Sequence, residues 1–174
     1  GATAQRTERE VMRGKLSGRS AEIQRLIGRS LRAVVDLAKL PGMTLHVDCD
    51  VLDADGGTRC ASITGASVAL ELAAAKLLQD GLISESPIVA RVAAVSVGMV
   101  NGEPLLDLCY QEDSAAEVDM NVVMTDGGRF VELQGSGEEA SFSEDELAAM
   151  LKLAKKGMKD IFALQASVMQ QAGR

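Results

Sequence analysis

The chain has 174 residues, a net charge of −7 and 47% hydrophobic residues, which sets one domain as the default and excludes a disordered polyanion. Aromatic residues make up only 2%, with no Trp and one Tyr, so aliphatic side chains must build the core and base-stacking platforms are scarce. A sequence pI near 4.8 speaks against a general nucleic-acid coat protein but not against local arginine clusters that grip RNA.

Residues 1–18 are polar and carry Arg6, Arg9, Arg13 and Lys15; they read as a basic arm or flexible segment ahead of a domain spanning 19–174. The spacing of Ile23, Leu26, Ile27, Leu31, Val34 and Ala38 predicts a helix over 20–39, with Ser20 as N-cap and Pro41-Gly42 as its stop. Arg25, Arg29 and Arg32 fall on another face, as a solvated stripe or a subunit contact. Residues 44–52 alternate, Leu45, Val47, Cys49 and Val51 against His46, Asp48 and Asp50, which predicts a half-buried strand. His46, the sole histidine, reads as a solvated strand residue rather than a base or ligand.

A second helix is predicted over 60–80, apolar nearly all round and therefore buried, with Ala61, Ser62, Gly65, Ala66 and Ala69 allowing a sheet to approach. Strands follow at 88–100 and 104–110 around Asn101-Gly102, and at 120–125 and 129–134 around Asp126-Gly127-Gly128, two hairpin signals. Ser143 to Glu146 forms a capping box before a last amphipathic helix. The order helix, strand, helix, four strands, helix implies an α+β class, helices against a mixed, largely antiparallel sheet. Three cysteines without CxxC spacing read as reduced thiols in a cytoplasmic setting. No run of about 18 apolar residues suggests a membrane span.

Three sets could carry chemistry. Gly57, Thr58 and Arg59 place a glycine turn, a hydroxyl and a guanidinium at a helix mouth, which suits an anion, most naturally phosphate. Arg19, in Ser-Gly-Arg-Ser at the mouth of the first helix, repeats that arrangement. Asp107, Glu112, Asp113, Glu117 and Asp119 crowd five carboxylates between strands, a cluster that costs stability unless cations neutralise it. Hard oxygen ligands of this kind suit Mg²⁺. Against these stand plainer readings: a tight turn, an exposed arginine beside a cap, a solvated acidic loop. There is no Ser-His-Asp set, Walker loop or dinucleotide turn.

The stretches beginning at Ser17, Asp48, Glu112 and Gly128, in that order along the chain, resemble the ribonuclease PH family of phosphorolytic exoribonucleases, related to polynucleotide phosphorylase and the exosome ring. The resemblance implies a ribonuclease PH-like two-layer fold. It implies trimming of the 3′ ends of tRNA precursors and other RNA, with inorganic phosphate as co-substrate and nucleoside diphosphates as product. It places phosphate binding on Arg19, Gly57, Thr58 and Arg59, catalysis and a divalent metal, normally Mg²⁺, on Asp113 and Asp119, and RNA or ring contacts on Arg6 and Arg9. It also implies a homo-hexamer, a trimer of dimers, and no membrane partner. Measured against the family, several N-terminal strands are absent, so a partner chain supplying them, or a non-catalytic RNA-binding or assembly subunit, stands as the alternative. Cys60 takes the place of a more usual Thr, and Cys109 of an acid or amide.

Overall fold

A computed structural model describes Gly14, residues 17–137 and residues 140–173. Helix α1 spans Gly18–Arg32. Its N-cap is Ser17, whose hydroxyl accepts from the Ser20 amide at 3.2 Å, so the cap lies three residues earlier than expected. The helix also stops short of residue 39. Val34 and Val35 leave helical geometry, Val35 bridging to Ile88; Asp36 then caps a separate 3₁₀ turn at Leu37–Lys39. Leu26, Ser30 and Leu31 form the buried stripe of α1.

The strand expected at 44–52 does not form. The segment is extended but makes no ladder, and Leu52 is 77% exposed. Alternation specifies which faces are wet; a strand also needs a neighbour for its backbone groups, and none lies beside this segment among the described residues.

Helix α2 runs Thr58–Gln79 and opens on Gly57, whose φ of +67° is left-handed. It is not buried all round. Cys60, Ile63, Ala66, Ser67, Leu70 and Ala74 are buried, whereas Ala61, Gly65 and Ala69 are exposed. Part of that small-residue stripe lines an open groove of about 850 Å³ beside residues 45–53. By length and composition α2 could cross a membrane, contrary to the reading that no stretch qualifies; in this fold it is a core helix, seated on the sheet.

The sheet comprises β1 (Val92–Val100), β2 (Glu103–Leu106), β3 (Val118–Thr125) and β4 (Phe130–Gly137) in the order β2-β1-β3-β4, every pair antiparallel. Asn101 and Gly102 both take positive φ, 52° and 75°, as a tight β1–β2 turn requires. A short helix α3, Tyr110–Ala115, links β2 to β3 where the sequence reading extends a strand to residue 110. Helix α4, Glu144–Ala172, carries the predicted capping box: Ser143 and Glu146 bond reciprocally.

Helices cover both faces of the sheet. Ala93, Val95, Val97 and Met99 of β1, with Val118, Met120, Val122 and Met124 of β3, pack on Met150, Ala154 and Met158 of α4. The opposite face, through Val92, Ala94 and Val123, meets α1 and α2. Since β2 pairs only with Val97–Val100, the first half of β1 is an edge. Side chains close it: Ser67 Oγ accepts from Val92 N–H, Thr64 Oγ1 from Ala94 N–H, and Gln165 Nε2 donates to the Val92 carbonyl. Buried backbone groups are thereby satisfied without a strand.

Candidate active site

The strand face that meets α1 and α2 carries the polar residues. On β3 the alternation that turns Val118 and Met120 toward α4 turns Asp119 and Asn121 the other way. Cys60 Sγ, one residue past Arg59, donates to Asn121 Oδ1 at 3.2 Å, which fixes the α2 mouth over β3. Asp119 lies two residues along β3 on the same face, opposite Gly98 of β1 and Ser136 of β4, and is half-buried.

Glycine makes this approach possible. A Cβ on Gly56 would stand 1.9 Å from the Leu108 carbonyl oxygen, and one on Gly98 would stand 2.8 Å from Leu108 Cδ1. Leu108 is thus threaded between the α2 mouth and the sheet, 1% exposed, with its N–H bonded to Ser96 Oγ. That threading pins the neighbouring Asp107 (φ +59°), whose Oδ1 lies 3.8 Å from where a Gly57 Cβ would stand. Asp55 accepts from the Tyr110 amide at 2.5 Å, tying α3 to the same mouth.

The two helix mouths are linked. Arg59 Nη2 lies 3.6 Å from Glu22 Oε2 of α1, and Glu22 is three residues after Arg19. Residues at i and i+3 share a helix face, so Arg19 stands on the side of α1 that reaches Arg59. Glu22 Oε1 in turn accepts from Gln134 Nε2 of β4 at 2.7 Å. Two turns along α1, Arg29 Nε donates to Glu132 of β4 at 2.9 Å, so this member of the basic stripe is bonded within the chain.

The five acids separate. Glu112 accepts from the Cys109 amide, capping α3, and Glu117 from the Gly102 amide. Asp107 and the exposed Asp113 remain near the α2 mouth, and their charge registers on Cys60: burial, then Asp107, then Asp113 push its thiol up to about 12, with Arg59 opposing. Among the described residues no group of three or more His, Cys, Asp or Glu forms a metal-holding set. His46 is exposed on the 44–52 segment. Arg6 and Arg9 lie outside the described residues.

Sequence reasoning misses Glu22, Gln134 and Asn121. A signal exists for Gln134: Glu132, Gln134 and Ser136 recur at period two, so one face of β4 is polar where a core face would be apolar. Asp107 is legible as an acid but not in its backbone conformation, since nothing local marks a non-glycine residue at positive φ.

Comparison with known proteins decides the family. Residues 2–76 match the pattern described as 3' exoribonuclease family, domain 1, and residues 90–157 match domain 2. The chain belongs to the 3' exoribonuclease family. The boundary between the two family segments falls between α2 and β1, which pack directly on each other here. Ribonuclease PH of Bacillus pumilus is 60% identical over 168 residues, covering 96% of this chain and 69% of that protein. Among solved structures, rice (Oryza sativa) Rrp46 superposes with a TM-score of 0.65 at 16% identity, covering 90% of this chain and 68% of that one. A chain of an Archaeoglobus fulgidus exosome with RNA bound to the active site gives 0.63 at 20% identity, covering 84% and 61%. At those identities the structural likeness shows the fold alone, helices on an antiparallel sheet.

Proposed function

We infer that this chain is a phosphate-dependent 3′→5′ exoribonuclease, a nucleotidyltransferase that uses inorganic phosphate to release nucleoside diphosphates. The observation that carries the reading is the linkage of two arginine-bearing helix mouths through Glu22 in a chain 60% identical to a ribonuclease PH. The same identity favours catalysis over an idle assembly subunit.

Arg19, Arg59, the Thr58 hydroxyl and the free N–H groups at the Gly57 mouth hold phosphate, because a helix N-terminus and guanidinium forks both favour an anion. A phosphate oxygen forms a new bond to the phosphorus of the last linkage, the bond from that phosphorus to the 3′-oxygen breaks, and the 3′-oxygen takes a proton. Most of the work is positioning and charge neutralisation. Asp113 and Asp119 are the residues to hold Mg²⁺ or pass that proton. Two carboxylates without a third protein ligand fit Mg²⁺, which keeps its waters and is bound through one or two carboxylates plus phosphate. Bound there, the ion would neutralise charge on the reacting phosphates.

The substrate is the 3′ end of RNA, tRNA precursors first, with Arg6 and Arg9 contacting the backbone. Assembly is a homo-oligomer, a hexamer built as a trimer of dimers; kinship with an exosome chain supports a ring. The unladdered 44–52 segment, flanked by open grooves, supports pairing with strands from a further segment or chain. Free thiols at Cys49, Cys60 and Cys109 support a cytoplasmic setting.

The test is incubation of the assembled protein with RNA, phosphate and Mg²⁺. Nucleoside diphosphates are expected, and Asp119→Asn should cut turnover by about 10²-fold or more with assembly intact. Unchanged RNA in the presence of an assembled ring refutes the reading.

A further inference from the structure

We propose that Glu22, held by Gln134, is a positioning residue for phosphate: it sets the spacing of Arg19 and Arg59 before the anion arrives. The proposal rests on the phosphorolytic reading above.

The geometry has three parts. Glu22 shares a face of α1 with Arg19 and touches the Arg59 guanidinium of α2 through Oε2, at 3.6 Å. Its other oxygen is fixed from β4 by Gln134 Nε2 at 2.7 Å. So one carboxylate joins α1, α2 and β4 beside the Arg59 guanidinium, one helical turn from Arg19 on its own helix. At 3.6 Å the arginine contact is an ion pair rather than a hydrogen bond, and both partners are partly exposed, so its effect on stability is small. Its effect on aim is separate: a guanidinium on a long side chain loses rotamer freedom when one edge is held, and ordering it in advance spares that cost on binding.

Charge alone would argue the reverse, since a carboxylate beside an anion site repels phosphate. Two features outweigh that. Glu22 is compensated by Arg59 and by the Gln134 amide, and it offsets the mutual repulsion of two arginines that must stand close with no anion between them. Arg59 meets Glu22 through Nη2 at 3.6 Å; a guanidinium has five N–H donors, more than one carboxylate oxygen engages, which leaves donors for phosphate.

Steady-state phosphorolysis by the assembled protein, with phosphate varied, tests this. Glu22→Ala and Glu22→Gln should each raise the KM for phosphate about tenfold while kcat stays within about threefold, the pattern of lost uniform binding. Glu22→Asp, which keeps the charge, should recover most of the loss. Gln134→Leu should reproduce part of the effect and add nothing in the Glu22→Ala background. Should Glu22→Ala fail to fold, Glu22→Gln and Gln134→Leu decide. An inactive unaltered protein defeats the phosphorolytic reading itself. Activity with an unchanged or lowered phosphate KM in the Glu22 variants overturns the proposal.

Discussion

Cys60 shows how a single buried atom locks the mouth of α2. Its thiol donates to Asn121, and burial together with Asp107 lifts its pKa from 9.0 to about 12. The folded state therefore binds more protons than the unfolded state between those values, so its contribution is complete below pH 9 and is lost as pH rises toward 12. Unfolding midpoints measured from pH 8 to 10 should fall, and Cys60→Thr, which keeps a hydroxyl donor without a titrating thiol, should flatten that fall. At this scale the sequence makes the candidate anion site legible, because glycine, hydroxyl and arginine at a helix start have a local physical meaning. It does not reveal Glu22 or Gln134, whose roles come from contacts 112 residues apart.

Among the elements, α2 depends on two devices: glycine at its mouth and side chains along the β1 edge. Gly56→Ala drives a Cβ against the Leu108 carbonyl, 1.9 Å away; backbone must move, and overpacking of this kind costs about 1–3 kcal/mol. Urea denaturation should show that loss, with a larger fall in phosphorolysis than stability explains, because the Gly57 mouth moves with it. Gln165→Leu leaves the Val92 carbonyl, on the unpaired half of β1, without its donor, a penalty of about 1–3 kcal/mol readable in the same experiment. Helices α2 and α4 and both hairpins are legible from periodicity and turn residues. The 44–52 segment is not, since period-two alternation looks the same whether or not a neighbour completes the ladder. Nor is the break after Arg32, where Leu, Val and Ala continue the apolar pattern while the backbone turns to meet Ile88.

On the scale of the whole molecule, the two sheet faces differ in what they do. The α4 face is an aliphatic and methionine core; the α1/α2 face trades part of its core for Asp119, Asn121, Glu132 and Gln134 and carries the candidate site. The extended segment between the helices is the open flank of that second layer. Hydrogen exchange should find its amides at 44–52 fast in the isolated chain while β1 and β3 amides are slow. Protection of 44–52 should rise in any assembly that supplies a pairing strand; equal protection in both states would remove the case for that partner.

The most direct measurement is a crystal structure grown with inorganic phosphate and Mg²⁺. One tetrahedral anion bonded by both the Arg19 and Arg59 guanidinium groups and by the Gly57–Thr58 mouth, beside Asp113 and Asp119, is the expected result. Separate anions on the two arginines, or one held away from those carboxylates, would contradict a shared phosphate site.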